Sequence, residues 1–233
     1  MKTDRNLEKE TRAREALIMM EQNKYRILLQ DLHCELPDED VKSMKFLAQP
    51  LIKKRYLYQN IKDGLGLFEA LEDCAMLSSS NLVFLSQLLE TVGRLDLYAM
   101  INEEIQCDAI SGEESLVCPF RKLLFNLHKE IPDNDLNRMR YLYGKVPKRA
   151  TVEDPLDLFA FMIHDHSLTP ENLSHLKRIL SEISRQDLVE EILIFEDTVV
   201  QHQCNYLSFS KQIPGVVFQT ASIESSSFSS SSQ

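Results

Sequence analysis

The sequence lacks the features of several protein classes. No apolar run approaches the roughly 18 residues that a membrane-spanning helix needs, and the charged amino terminus has no apolar core of the kind that a secretory signal requires. The five cysteines are scattered without a Cys-x-x-Cys pair, which argues against a zinc ribbon and a disulfide framework and favours a reducing, cytoplasmic location. A formal net charge of −10 repels phosphate backbones. We therefore predict neither membrane insertion nor nucleic-acid binding.

Residue patterns of a catalytic or cofactor site are also missing from the sequence. Gly64 and Gly66 precede no Gly-Lys-Ser/Thr element, so they do not form a phosphate-binding loop. His164 and His166 are only a weak metal signal, and no cysteine lies in a nucleophile motif. For these residues we predict no enzyme activity, no metal site and no cofactor.

The sequence does contain an internal repeat. Residues 25–47, YRILLQDLHCELPDEDVKSMKFL, align with residues 120–142, FRKLLFNLHKEIPDNDLNRMRYL, at an offset of 95. Further along the offset falls to 91, where LGLFEAL matches LDLFAFM. A length change of this kind is typical of a surface connection between conserved elements. The pattern therefore predicts two homologous domains in tandem.

The apolar spacing in both copies is helical. Apolar residues of the segment 25–36 recur at i, i+3, i+4 and i+7, and Pro37 followed by three acidic residues indicates the first turn of a second helix. No stretch alternates with period two for long enough to indicate a sheet. We predict an all-α fold with five or six short helices in each copy, and at most a short helical turn in the variable connection.

The predicted domain organisation follows from the bounds of the two repeat copies and from the composition of the segments around them. The serine-rich end carries no helical stripe, which indicates disorder. The predicted segments are a charged N-terminal extension (1–22), the first bundle (23–104), a linker (105–117), the second bundle (118–200) and a disordered tail (201–233).

Charged residues recur at matched positions of the two copies. An Arg-x-Asp-Leu motif begins the last helix of each copy, where the helix dipole opposes an arginine unless a carboxylate from elsewhere receives it. Because residues i and i+2 of a helix do not face each other, the arginine is expected to reach an acid early in the second helix. Solvated charges remain the alternative, but repetition favours fixed networks. The predicted networks are Asp40, Arg94 and Asp96 in the first copy and Asp135, Arg185 and Asp187 in the second.

The second helix of each copy carries an aromatic residue two positions after a methionine. The two side chains are too close in sequence for both to face inward on one narrow helix stripe. Ordinary burial of the aromatic ring is one alternative, and an exposed contact patch, which we favour, is the other. The predicted patches are Phe46 with Leu47, and Tyr141 with Leu142.

Together these residues resemble tandem death effector domains, a family in the death-fold superfamily of six-helix bundles. The likeness covers roughly residues 23–200, and the segment IKDGLGLFEALEDCAMLSSSNLVFLSQLLETVGRLDLY is particularly similar to the first such domain of initiator caspases. The resemblance implies two six-helix bundles that pack together. It also implies that the charge networks and the aromatic patches are protein interaction sites.

The resemblance further implies a regulator of apoptotic signalling that binds death-effector-domain adaptors and initiator procaspases through contacts between like domains. Such head-to-tail contacts can propagate into chains or filaments. No nucleophile segment of a caspase protease domain occurs in the sequence, so the expected protein is not itself an enzyme. The alternatives are the N-terminal prodomain or a truncated isoform of an initiator caspase, and a helical scaffold outside apoptosis.

Overall fold

The structure is a computed structural model that describes residues 2–52, 54–105, 115–147 and 150–210. These residues are built almost entirely from α-helices, and extended pairing among them is limited to two isolated bridges, Ser78 with Asn81 and Thr169 with Asn172. No described helix combines the length and the apolarity that a membrane crossing requires. The predicted all-α fold class is confirmed.

The described part of the first repeat contains six helices. They are α1 (Lys2–Glu35), α2 (Asp38–Ala48), α3 (Arg55–Asn60), α4 (Gly64–Asp73), α5 (Val83–Val92) and α6 (Leu95–Ile105). Pro37 lies at the N-cap of α2, one position before its expected place, and three acidic residues fill the first turn, where the helix dipole favours negative charge. Asp63 caps α4 by accepting a hydrogen bond of 2.9 Å from the backbone N–H of Gly66.

The described part of the second repeat contains five helices. They are α7 (Pro119–Lys129), α8 (Asp133–Tyr143), α9 (Pro155–His164), α10 (Ser174–Glu182) and α11 (Gln186–Ser210). A counterpart of α3 is missing among the described residues between α8 and α9. The connection there is shorter, and Gly144 ends α8 in the left-handed conformation with a φ of +67° shortly before Pro147. The predicted range of five or six helices in each repeat is therefore confirmed. The described residues form six helices in the first repeat and five in the second.

The two cores use matched positions. Leu32 and Leu127 are both fully buried, as are Met44 and Met139. The same holds for Leu67 with Leu158, Leu85 with Leu176, and Leu89 with Leu180. A repeated sequence that buries the same positions twice forms two bundles of the same design.

The helical ends extend beyond the predicted segments. α1 begins at Lys2, so the extension 1–22 continues into the helix of the first bundle. Similarly, α11 continues to Ser210, which differs from the expected disorder over 201–210; the rest of the predicted tail, 211–233, and most of the linker lie outside the described residues. Neither helix contains proline or glycine, so nothing in its sequence forces an earlier end.

The first repeat and the second repeat up to residue 189 belong to one compact unit, and a second unit begins at residue 190, within α11. Within the first unit, α2 packs against α7 and α9, so the predicted packing of the two bundles is confirmed. We call this contact the inter-repeat joint and define it by five side chains. They are Lys42 and Phe46 of α2, Arg121 of α7, and Asp154 and Asp157 at the start of α9.

Candidate protein interaction site

The Arg-x-Asp motif of the first repeat begins in a tight turn between α5 and α6. Gly93 has a φ of +92°, and its backbone N–H donates to the carbonyl groups of Leu89 and Glu90. The N–H of Arg94 donates to Leu89 at 2.9 Å, and α6 begins at the following residue. Arg94 therefore lies just outside the helix, with its side chain free to turn back towards the helix start.

The guanidinium of Arg94 connects three helices of the first repeat, α6, α2 and α1. Nε and Nη2 donate to the two carboxylate oxygens of Asp96 at 2.9 and 2.6 Å. Nη1 donates to Asp40 in α2 at 3.1 Å and to the carbonyl of Glu35, the last residue of α1, at 2.7 Å. A paired fork of this kind fixes both the position and the orientation of the Asp96 carboxylate.

The second repeat builds the same arrangement. Nε and Nη2 of Arg185 donate to the Asp187 carboxylate at 3.0 and 2.6 Å. Nη1 donates to Asp135 in α8 at 3.3 Å and to the carbonyl of Glu130 at 2.6 Å. The structure thus brings together all three residues of each network that the sequence predicted. We call each set a charge triad.

One detail differs from the sequence reasoning. Residues i and i+2 were expected not to face each other, yet Arg94 makes two hydrogen bonds to Asp96, and the one at 2.6 Å is its shortest. The expectation holds for two residues inside a helix, whereas Arg94 precedes the first residue of α6. The same explanation applies to Arg185 and Asp187, because α11 begins at Gln186.

The triads hold their exposed carboxylates in the charged form. Hydrogen bonds from Arg94 lower the pKa of Asp96 to about 2, although desolvation opposes the shift. Hydrogen bonds from Arg185 likewise lower the pKa of Asp187. These aspartate side chains remain 61% and 59% exposed. Each triad can therefore present a fixed negative charge to a basic side chain of another protein.

The aromatic patch of the first repeat is not on the surface, which corrects the exposure expected for it. Phe46 is 3% exposed and Leu47 is 1% exposed. The guanidinium of Arg121 lies over the Phe46 ring, 4.5 Å from its centroid, so the second repeat covers this ring. Leu47 lies in the core of the first bundle. The patch therefore contacts a bundle of the same design within this chain.

The matched patch of the second repeat is open. Tyr141 is 85% exposed and Leu142 is 40% exposed. They line a shallow depression of about 350 Å³ with Asn137 and Arg138, and Nη1 of Arg138 donates to the carbonyl of Ile183 at 3.3 Å. We call Asn137, Arg138, Tyr141 and Leu142 the outer patch. An aromatic side chain that is mostly exposed on a helix is a typical anchor for a protein partner.

Sequence reasoning missed the charged residues of the joint. Nζ of Lys42 pairs with Asp154 and lies 2.9 Å from Asp157 Oδ2. Burial lowers the pKa of Lys42, but the hydrogen bonds to the two aspartates outweigh it and the net shift is upward. Asp154 and Asp157 also form a reciprocal capping box at the start of α9. The Asp-x-x-Asp spacing signals that box, but no local signal indicates a partner 115 residues away.

The described residues do not bring together the groups that a metal centre would need. No set of three or more histidine, cysteine, aspartate or glutamate side chains there is arranged to hold a metal ion. The distinctive features are instead the carboxylates of Asp96 and Asp187, each held by an arginine, and the exposed outer patch. These features are suited to binding another protein surface.

A family model described as "Death effector domain" matches residues 25–105 and 120–198. Mouse caspase-8 is 26% identical over 197 residues, covering 82% of this chain and 40% of that protein. The human FAS-associated death domain protein is 30% identical over 81 residues, covering 34% of this chain and 39% of that protein. The chain thus spans less than half the length of these curated relatives.

The solved structures include a chain of the same fold. The crystal structure of MC159, described as revealing the molecular mechanism of DISC assembly and vFLIP inhibition, aligns with a TM-score of 0.57 at 19% identity. The alignment covers 77% of this chain and 92% of that chain. Both family matches within the present sequence are to the death effector domain model, and neither is to a protease domain.

Proposed function

The chain belongs to the death effector domain family, and from that membership we propose that it regulates apoptotic signalling by binding death-effector-domain adaptors and initiator procaspases. Its similarity to caspase-8 and to the FAS-associated death domain protein supports this class of partner. In the proposal the chain modulates the recruitment and activation of initiator caspases at death receptors.

One observation carries the proposal: the chain uses one copy of its aromatic patch internally and leaves the other copy open. Phe46 is buried against Arg121 of the second bundle, whereas Tyr141 at the matched position is 85% exposed. The inter-repeat joint is thus an example, within one molecule, of this helix face binding a like bundle. The outer patch is proposed to bind a partner bundle in the same way.

The first repeat carries the counterpart of the surface that receives Phe46. Arg26 matches Arg121, and its side chain is 66% exposed beside Ile27, which is 61% exposed. Asp63 and Gly66 match Asp154 and Asp157. We call Arg26, Ile27, Asp63 and Gly66 the acceptor face. In this proposal the molecule has a donor end on its second repeat and an acceptor end on its first, which is the geometry of a head-to-tail chain.

The charge triads are proposed as a second contact. Asp96 and Asp187 are exposed, ionised and held by bidentate hydrogen bonds, so a basic partner side chain would meet a carboxylate already fixed in place. Exposed ion pairs contribute little to folding, about 0–1 kcal/mol, which is consistent with a role in recognition.

Because both matched segments are death effector domains, the bundles are proposed to occupy places in a signalling assembly without adding catalysis. That occupancy would damp caspase activation if it displaced procaspases and promote it if it brought them together. The second candidate, a prodomain or truncated isoform of an initiator caspase, is favoured by the match of 82% of this chain to mouse caspase-8.

A cytoplasmic location is part of the proposal. Cys34, Cys74 and Cys118 carry free thiols in the structure. Unpaired cysteines on a partly exposed surface are typical of proteins in a reducing compartment.

The proposal is tested by pull-down with the immobilised death effector domain of the human adaptor, followed by caspase activity in receptor-stimulated cells. Tyr141→Ala should lose most binding, whereas Tyr56→Ala, which removes a tyrosine that is 57% exposed on α3, should keep it. The direction of the change in caspase activity then distinguishes inhibition from promotion. Absence of binding by the wild-type chain would favour a scaffold outside apoptosis.

A further inference from the structure

The inter-repeat joint is held by a charged contact that the two outward-facing surfaces do not reproduce. Inside the molecule Lys42 pairs with two carboxylates, Asp154 and Asp157. The position that matches Lys42 in the second repeat is Asn137, a neutral residue of the outer patch. The position that matches Asp157 in the first repeat is Gly66, which carries no carboxylate.

The other side chains of the joint have counterparts on the outward surfaces: an aromatic ring, an arginine and an N-cap aspartate. Tyr141 could stack on Arg26 of another copy as Phe46 stacks on Arg121, and Asp63 retains the N-cap carboxylate of Asp154. A contact between two copies would therefore keep the ring and the arginine but lack the lysine and the second acid.

We infer that Asn137 and Gly66 are specificity-determining residues that weaken binding between copies of this chain, so that the outer patch remains available to a different death effector domain. The inference rests on the proposed function. It concerns which bundle the outer patch selects, since the missing ion pair lowers the affinity of the outer patch for the chain's own acceptor face.

The ion pair of the joint is expected to contribute to binding, so a contact between two copies that lacks it should be weaker. The side chains of Lys42 and Asp157 are only 37% and 25% exposed, so their attraction is less screened than that of fully solvated groups. The two hydrogen bonds raise the pKa of Lys42 despite its burial, which shows that the joint favours the charged lysine. An asparagine amide can accept or donate a hydrogen bond at this position, but it cannot replace the charge.

Gly66 is a position that can accept the missing acid. A Cβ atom built there meets its nearest neighbours, Asp63 Oδ1 and Ile61 Cα, at 3.5 Å, which is ordinary van der Waals contact. Asp63 already accepts a hydrogen bond from the Gly66 N–H, so an aspartate at 66 would complete the capping box that α9 has. The substitution is therefore expected to leave the fold intact.

The experiment is sedimentation velocity of the full 233-residue chain and of the double variant Asn137→Lys/Gly66→Asp. At concentrations from about 1 to 100 µM, which resolve a Kd near 10 µM, the wild-type chain should stay largely monomeric. The double variant should self-associate about three- to tenfold more tightly, about 0.6–1.4 kcal/mol, and lose the gain at high salt.

Matched variants isolate the position of the charge. Asn134→Lys/Gly66→Asp makes the same change in net charge one helical turn away and should not increase self-association. Gly66→Asp alone should not do so either, because it lacks the lysine. Urea unfolding of each variant confirms that the fold is retained.

Two results would overturn the inference: a wild-type chain that already forms chains in this concentration range, or a double variant that associates no more tightly than wild type. A parallel pull-down with the adaptor domain separates this inference from the proposed function. Intact adaptor binding with no gain in the double variant overturns the inference alone, whereas absent adaptor binding removes the proposed function on which it rests.

Discussion

The guanidinium carbon of Arg121 lies 4.5 Å from the centroid of the Phe46 ring, so each repeat contributes one side chain to a cation–π contact. Both residues are almost inaccessible to solvent, at 5% and 3% exposure. Nη1 of Arg121 has no hydrogen-bond partner among the described residues, and burial lowers the pKa of this guanidinium. The ring is therefore a principal partner of a buried charge, and it constrains how the two bundles pack.

Matched aromatic residues should differ sharply in their contribution to stability. Phe46→Ala is expected to lower the free energy of unfolding by about 3–5 kcal/mol, because it removes a buried ring and uncovers Arg121. Tyr141→Ala should change it by no more than about 0.5 kcal/mol, because the ring is exposed. Urea unfolding followed by circular dichroism measures both. Equal losses in the two variants would show that the second ring is also buried.

Substitutions in the turns that precede the two Arg-x-Asp motifs should change the stability of the fold in opposite directions. Gly93 and Ser184 occupy matched positions with φ of +92° and +66°, but only the first residue is a glycine. Gly93→Ala should cost about 1–2 kcal/mol, although a Cβ atom would meet no neighbour there within 4 Å. Ser184→Gly should stabilise by about 0.5–1 kcal/mol, since it relieves backbone strain at some cost in chain entropy. Thermal unfolding of the two variants tests the prediction, and destabilisation by Ser184→Gly would contradict it.

The Asp96 carboxyl group should titrate well below an ordinary aspartate. Its pKa is about 2, and replacement of Arg94 by glutamine should return it towards 3.8. Since the pKa is lowered on folding, the stabilisation from this pair is complete above pH about 4 and is lost as pH falls towards 2. Carboxyl ¹³C shifts followed through an acid titration measure the pKa directly. A midpoint that is the same with and without Arg94 would show that the triad does not form in solution.

The ion pair of the joint should couple two residues from different repeats. In a double-mutant cycle with Lys42→Met and Asp157→Asn, the coupling free energy should be about 0.5–1 kcal/mol and should fall with added salt. Asparagine at 157 keeps a side-chain oxygen for the capping box, so the cycle reports mainly on the pair. Strictly additive losses would mean that Lys42 and Asp157 do not interact in solution.

Much of the fold was predictable because it is specified locally. The apolar spacing of α1 and the proline before α2 define helices within each repeat, and the repetition itself indicates two bundles. The charge triads were also predictable, because Arg94 and Arg185 each recur with an aspartate two residues later and with a matched acid early in the second helix of the same copy. Repetition supplied the information that a single copy would have lacked.

The burial of Phe46 could not be predicted in this way. Phe46 and Tyr141 occupy equivalent positions on equivalent helices, so any local rule assigns them the same exposure. The difference arises from the packing of one repeat on the other, where Arg121 and Lys42 contribute contacts distant in sequence. The ends of α1 and α11 differ from the predicted limits for another reason. Their sequences contain no helix-breaking residue, so both helices extend beyond those limits.

The role of the outer patch in binding another bundle is tested by isothermal titration calorimetry with the death effector domain of the human FAS-associated death domain protein. We expect Tyr141→Ala to weaken binding at least about tenfold, or about 1.4 kcal/mol, and Tyr56→Ala to change it less than about twofold. Equal affinities for wild type and Tyr141→Ala, with the fold of both intact, would contradict the assignment of the outer patch as the surface that binds another bundle.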